Sequence, residues 1–407
     1  MAEFDGVPRH DGDAAAGLGL TPRRRIALAV AAATVLNLPF GTIYAFSVFL
    51  RPMEQLLGVG RTELSLVFGI ATVTLTLGMN AAPRLYQTVP PAILLLASGG
   101  AGALGLALTA FAGGFVELVV GYGVLFGLGA GIAFTVVQQS ANQVPVGNRG
   151  LLNGYIVSLY PLGAMIGVPL LGASLAAWGL RATIGLLAAV VLAGGIAAAL
   201  LLRLARIVVN GAAEAPAAEE AGHRALFAKL FTVFLFAAAA GLTVMSQAAG
   251  ILQAYGGATA LALGGTTFIT GAIAAARIGG GWLADRFAVP RVAVGAHLCS
   301  LAGALLLVAW PEPLVAVPAL AMIGMGYGFV SGLTAAAIAQ YWPPTRFGLV
   351  SSRLYIAWCA AALTLPVLAG WLYDRTHSYD AAVLVAAGVN IAGALVAARL
   401  PANERRK

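Results

Sequence analysis

Residues Leu263 to Arg291 read LGGTTFITGAIAAARIGGGWLADRFAVPR, and the whole fold can be read outward from this stretch. Its first part, Leu263 to Leu283, is apolar or hydroxylated except for one charge, Arg277. About 20 such residues cross a hydrocarbon layer of about 30 Å as a helix. A guanidinium at that depth costs about 2.5 to 3.5 kcal/mol on insertion scales, so a stable protein needs a compensating partner for it. The sequence offers no carboxylate at comparable depth. One reading is that an anion arrives from outside, in a water-accessible cavity. The other is an Arg bonded to backbone carbonyls or extended toward the headgroups.

The rest of the chain resembles this stretch. Of 407 residues, 60% are hydrophobic and 9% charged, more apolar surface than one soluble core can hide. Twelve apolar segments are expected as membrane-spanning helices, at about 26 to 50, 63 to 83, 91 to 111, 116 to 139, 150 to 177, 182 to 202, 229 to 250, 263 to 283, 292 to 310, 314 to 340, 349 to 372 and 381 to 398. The +8 formal charge does not form a nucleic-acid groove, because basic residues collect in alternate loops. One side takes Arg23 to Arg25, Arg84, Arg149, Arg203, Arg206, Arg224, Lys229, Arg286, Arg291, Arg346, Arg353, Arg399 and the tail Arg405, Arg406, Lys407. The other has Arg51, Arg61, Arg181 and Arg375. By the positive-inside rule both termini are cytoplasmic, in a multi-pass protein of the inner (plasma) membrane. The polar stretch Met1 to Arg25 shows no cleavable signal peptide. Cys299 and Cys359 fall inside spans and read as small buried residues rather than a disulfide pair.

The stretch Val209 to His223, with Asn210, Gly211, Pro216 and the acids Glu214, Glu219 and Glu220, interrupts the apolar pattern near the midpoint. The expected organisation is an N-terminal tail (1–25), a six-helix bundle (26–206), a cytoplasmic linker (207–228), a second six-helix bundle (229–400) and a short tail (401–407). The halves repeat: Gly127, Gly129 and Gly131 recur 197 residues later as Gly324, Gly326 and Gly328, as do Gln143 as Gln340, Arg149 as Arg346 and Pro169 as Pro366. Such repetition implies a pseudo-two-fold all-α membrane protein with a site between its halves. The glycines read as close-packing positions.

With its two halves, central loop and Gly281-Trp-Leu-Ala-Asp285-Arg286-(x)4-Arg291 after the eighth span, the chain resembles the major facilitator superfamily. The resemblance implies the twelve-helix fold and a conformational latch at Gly281, Asp285, Arg286 and Arg291. Physically, Asp285 can accept from the positive N-terminus of a neighbouring helix and pair with an Arg. The corresponding stretch of the first half, Met79 to Gln87, has Pro83 where the acid would fall. Within the superfamily, Gly41-Thr-Ile-Tyr44-Ala-Phe-Ser-Val-Phe-Leu, Arg61-Thr-Glu-Leu-Ser and Tyr122-Gly-Val-Leu-Phe-Gly-Leu-Gly-Ala-Gly are similar to the oxalate–formate antiporter and monocarboxylate transporter group. So are the Arg149-Gly150 loop and the placing of Arg277. That likeness implies that Arg277 binds a substrate carboxylate. Two positions depart from it. Trp358 stands where oxalate-type antiporters carry a lysine, and Ile273 stands where animal-type monocarboxylate transporters carry a proton-coupling aspartate.

Helical spacing gives the lining independently of any resemblance. Thr266, Thr270 and Arg277 share a face of the eighth span, as do Asn37, Gly41 and Tyr44 in the first, and Gly131, Phe134 and Gln138 in the fourth. Thr243 and Gln247 align in the seventh, Tyr327, Ser331 and Thr334 in the tenth, and Tyr355 with Trp358 in the eleventh. The expected substrate-binding set is Arg277, Tyr44, Asn37, Phe134, Gln138, Gln247, Thr270, Tyr327, Ser331, Tyr355 and Trp358, with packing as the alternative role for each aromatic ring. One Arg neutralises one carboxylate, and a second carboxylate would be desolvated without a partner. The expected function is alternating-access transport of a small monocarboxylate. The alternatives are an oxalate/formate-type dicarboxylate exchanger and a non-transporting anion sensor. Glu63 and Glu117 sit at the outer edges of their spans and His297 near an interface, which favours exchange or facilitated movement over obligatory proton symport. No metal cluster, cofactor motif or catalytic triad is seen, so no enzyme, cofactor or metal is expected. The partners expected are the small carboxylate and the lipid bilayer, with no nucleic acid, around a monomer.

Overall fold

A computed structural model of the chain describes residues 21–145, 147–209 and 217–402. The tail expected over 1–25 lies outside the described residues up to residue 20. So do the middle of the linker, with Asn210, Gly211, Glu214 and Pro216, and the end of the C-terminal tail from residue 403. The described residues form helices and connecting loops, and 11 of the helices are long and apolar enough to cross a membrane.

One of the 11, Arg149–Ala205, has 57 residues, about 85 Å at 1.5 Å per residue, more than twice what one crossing needs. It turns at Gly179, where φ is 76° and ψ 179°, a conformation that glycine adopts without the Cβ clash of other residues. It therefore makes two spans, and the helices are numbered accordingly: α1 (Pro22–Leu57), α2 (Arg61–Leu85), α3 (Pro91–Ala110), α4 (Phe115–Asn142), α5 (149–178), α6 (180–205), α7 (Ala217–Ala254), α8 (Thr259–Ala284), α9 (Val289–Ala309), α10 (Pro313–Tyr341), α11 (Phe347–Thr376) and α12 (Asp380–Ala397).

Local chemistry sets several ends. Thr21 accepts from the Arg24 N–H at 3.3 Å ahead of Pro22, and Glu63 accepts from the Gly60 N–H at 2.8 Å at the head of α2, satisfying donors that the first helical turn leaves unpaired. Proline also opens α3 and α10, where a missing N–H costs nothing. The helix α7 is described from Ala217, ahead of the span expected from residue 229, and the run Ala217-Ala-Glu-Glu-Ala is made of strong helix formers that continue the helix past its apolar part. In α1 the residues Gly41–Phe49 tighten to a 3-10 helix, and in α4 the residues Val119–Phe126 widen to a π-helix.

In the first half, α4 packs on α2 and α3, while α1 lies on α5 and α6. In the second, α10 packs on α8 and α9, and α7 on α10, α11 and α12. The repeated glycines make equivalent contacts in both halves. A Cβ on Gly131 would overlap the Leu75 carbonyl of α2, and one on Gly328 would lie 2.6 Å from the Ile273 carbonyl of α8. Likewise Gly129 meets the Ser98 carbonyl of α3, and Gly326 the Ala296 carbonyl of α9. Small residues are what let membrane helices approach so closely. Large apolar side chains such as Leu66, Leu104, Leu170, Leu200, Leu305 and Leu395 stay exposed on the outside of the helices, the arrangement expected where lipid is the solvent. The halves meet along two seams, α5 against α8 and α10, and α11 against α2 and α4.

Candidate functional site

Arg277 lies where the first seam is tightest. A Cβ on Gly154 of α5 would sit 2.6 Å from the Arg277 carbonyl oxygen, and one on Gly332 of α10 would overlap the same atom. Three backbones therefore converge on this residue, and its side chain is only 3% exposed. Nη1 donates to the Val157 carbonyl at 2.8 Å, and Nη2 donates to the Tyr327 hydroxyl at 2.8 Å, while Nε–H is buried without an acceptor. Both acceptors are neutral. The charge is solvated by the protein but not balanced by it.

Around the guanidinium is a cavity of only about 10 Å³ lined by Tyr44 (α1), Leu75 and Met79 (α2), Phe134 (α4), Tyr160 (α5), Tyr327 (α10), and Tyr355 and Trp358 (α11). Both halves contribute. The rings already touch across the middle: Tyr44 to Trp358 with centroids 6.2 Å apart, and Phe134 to Tyr355 at 5.1 Å. The free space left is no more than one water's worth. With these rings excluding solvent, an anion about 4 Å from the guanidinium gains about 4 kcal/mol at an effective dielectric near 20, against about 1 in water.

Six of the residues expected at the site thus meet in one place: Arg277, Tyr44, Phe134, Tyr327, Tyr355 and Trp358. The other five do not reach the cavity wall. Thr270 spends its hydroxyl on the Thr266 carbonyl of its own helix at 2.9 Å. Gln247 accepts from Tyr379 at 3.2 Å, away from the guanidinium. Gln138 accepts from the Ser351 hydroxyl at 3.1 Å across the second seam. Ser331 and Asn37 are buried, with side-chain atoms that have no partner. For Asn37 the reason is pitch. Residues Gly41–Phe49 are 3-10, turning about 120° per residue instead of about 100°, so the three steps from Gly41 to Tyr44 carry the ring about 60° further round than an α-helix would.

Spacing missed Tyr160, Leu75, Met79 and the Val157 carbonyl. The available signal was Tyr160-Pro161, a phenol beside a proline at mid-span. Arg353 is exposed, and His297 is buried within the second half with Nδ1 2.9 Å from the Asn390 side-chain oxygen. Cys299 and Cys359 are free thiols.

Toward the Arg-rich end, the two oxygens of Asp285 accept from the Gly150 and Leu151 N–H groups, each at 2.8 Å. These are the first donors of α5, where a carboxylate is favoured by both the unpaired N–H groups and the helix dipole. Gly150 and Gly281 cross so closely beside them that a Cβ on either would overlap the other's carbonyl. Arg286 stays exposed, with its guanidinium 3.9 Å from the centroid of the Trp282 ring, and Arg291 is also exposed. At the second seam the start of α11 is met by a neutral group from α4: Gln139 accepts from the Gly348 N–H at 2.7 Å and donates to the Pro344 carbonyl at 2.9 Å. Asn80 donates to the Ser352 carbonyl at 2.9 Å. These bonds close the Arg-rich end between the halves.

A family profile described as Major Facilitator Superfamily matches residues 30–336 and 230–407. Among solved structures, the chain is similar to the proton:xylose symporter XylE bound to 6-bromo-6-deoxy-D-glucose, at 14% identity and TM-score 0.74, over 94% of this chain and 98% of that one. It is similar to the transporter FucP in the outward conformation, at 15% identity and TM-score 0.71, over 91% and 97% of the two chains. A variant of the E. coli fucose:proton symporter FucP gives 15% identity and TM-score 0.71, over 91% and 98%. No curated protein matches the chain. At such identities the likeness shows a shared fold and leaves the substrate to the site.

Proposed function

The chain belongs to the major facilitator superfamily, a family of membrane transporters and not of enzymes, and we propose that this member moves a small organic anion, a monocarboxylate, by alternating access with Arg277 as the carboxylate-binding group. One observation carries the reading: a guanidinium buried at membrane depth, in a cavity shared by both halves, bonded only to neutral acceptors and with Nε–H unpaired. A carboxylate supplies what the site lacks, a charge and acceptors for a planar fork of N–H donors.

Charge counting favours one carboxylate over two. Trp358 brings an apolar ring to the wall where a second cation would serve a dicarboxylate, and Arg353 is exposed away from it. A second carboxylate would therefore be desolvated unpaired, at several kcal/mol. On this reading the Arg-rich end faces the cytoplasm of a plasma-membrane protein, with both termini on that side. The halves 26–206 and 229–400 rock about the cavity as a monomer, and Gly281, Asp285, Arg286 and Arg291 belong to a latch at the cytoplasmic end.

The test is counterflow in proteoliposomes against formate, acetate, lactate, pyruvate, benzoate and oxalate. Wild-type protein exchanges one or more monocarboxylates in preference to oxalate. Arg277→Ala abolishes exchange while the protein stays monodisperse in detergent, and Arg277→Lys, which keeps the charge but loses the fork, falls well below wild type. Full exchange by a folded Arg277→Ala protein would refute the assignment.

A further inference from the structure

The acceptor that Arg277 uses on the other half exists because of a proline. In an α-helix the N–H of each residue bonds the carbonyl four residues earlier. The residue four after Val157 is Pro161, which has no N–H. The Val157 carbonyl is therefore left without its usual donor, in a residue that is 1% exposed at membrane depth, where an unpaired carbonyl is costly. Arg277 Nη1 fills the place from α8 at 2.8 Å, and Gly154, one turn earlier on α5, lets the α8 backbone come close enough to do so.

We propose that Pro161 is a positioning residue: by freeing the Val157 carbonyl it creates a tether that holds the Arg277 guanidinium across the α5–α8 seam and keeps the anion-free protein closed at its Arg-rich end. Opening that seam leaves a bare carbonyl on one half and, on the other, a guanidinium that keeps only its bond to Tyr327. A carboxylate bound to Arg277 removes the larger of these penalties, so cargo releases the tether. That last step rests on the proposed function; the tether itself does not.

The second seam shows the same device in a weaker form. Counting back 197 residues, the counterpart of Arg277 is Asn80, and Asn80 donates to the Ser352 carbonyl of α11 across the halves at 2.9 Å. There the donor is uncharged, and Ile356 supplies an N–H four residues on. Only the α5–α8 tether joins a charge to a proline-freed carbonyl, so only it responds to an anion.

The experiment measures the seam directly. Spin labels at Asn148→Cys and Phe287→Cys, with Cys299 and Cys359 replaced by Ala, report the distance across the Arg-rich end of the full chain in nanodiscs. Without added anion, wild type is predominantly closed. Pro161→Ala supplies an N–H that competes for the Val157 carbonyl and raises the ratio of open to closed protein about tenfold, in line with the loss of one hydrogen bond to a charged group. Arg277→Ala opens the seam to a similar extent, and adding Pro161→Ala to it changes nothing more. Pro161→Gly restores the same N–H and serves if the alanine variant does not fold. A closed seam in the proline variants overturns the proposal, as does an equal extra opening on the Arg277→Ala background, which would mean that the proline acts only through helix shape. Acetate, lactate and benzoate are then added in turn. Opening of wild type by a carboxylate supports release of the tether by cargo. Matching effects of the proline and arginine variants, with no response to any carboxylate, keep the tether and reject the anion reading.

Discussion

A charge that is desolvated without being neutralised is an unfinished interaction, and Arg277 is in that condition. Its two bonds, to Val157 and Tyr327, orient the guanidinium and leave Nε–H open. A hydrogen bond to a charged group is worth about 1.5 to 3 kcal/mol. On the proposed function, removing the phenol oxygen in Tyr327→Phe should thus raise the KM for the carboxylate about tenfold or more. Because the ring that fills the gap is kept, the melting temperature in detergent should stay close to wild type. Unchanged KM in counterflow would show that Tyr327 only packs. The sequence singled out Arg277 because the cost of burying a charge depends on depth, which a count of apolar residues reveals. It could not show which neutral atoms hold the group, since one of them is a backbone carbonyl whose availability depends on a proline in another helix.

Among helices, the first seam is built from close contacts between glycines and is closed at its end by one acid. Asp285 meets the start of α5 with both oxygens, and a charge at a helix N-terminus is worth about 1 kcal/mol, up to about 2 in partly buried geometry. Asp285→Asn keeps a hydrogen-bonding group and loses the charge, so the open population at the Arg-rich end should rise about fivefold in spin-label distance measurements. The order of preference among carboxylates should not change, because the cavity is untouched. A changed order with unaltered distances would count against a latch. The seam is asymmetric: α11 is met by the neutral Gln139, in line with the missing acid in the stretch Met79 to Gln87. Helical spacing failed for Asn37 because α1 changes pitch at Gly41, and for Thr270 because a hydroxyl can satisfy itself on the preceding turn of its own helix.

At the scale of the whole molecule, the Arg-rich end is shut and the cavity is narrow, with rings from both halves in contact. No carboxylate lines that cavity, and the proposed exchange would run without a proton relay there. Counterflow should accordingly be accelerated by unlabelled substrate on the opposite side and should be insensitive to an imposed pH gradient; uptake driven by the gradient alone would contradict this. The chain by itself determined the number of spans, the repeat of two halves, the sidedness of charge and the identity of the buried cation. Those follow from local facts: the length of apolar runs, glycine spacing and the distribution of arginine. Only the tertiary structure decided that Tyr160 joins the wall while Asn37 and Gln247 do not, that Asp285 spends itself on backbone N–H groups, and that Val157 answers Arg277. Each of these depends on how two helices far apart in sequence are set against one another, and that setting comes from backbone approach at Gly150, Gly154, Gly281 and Gly332, which no single helix encodes.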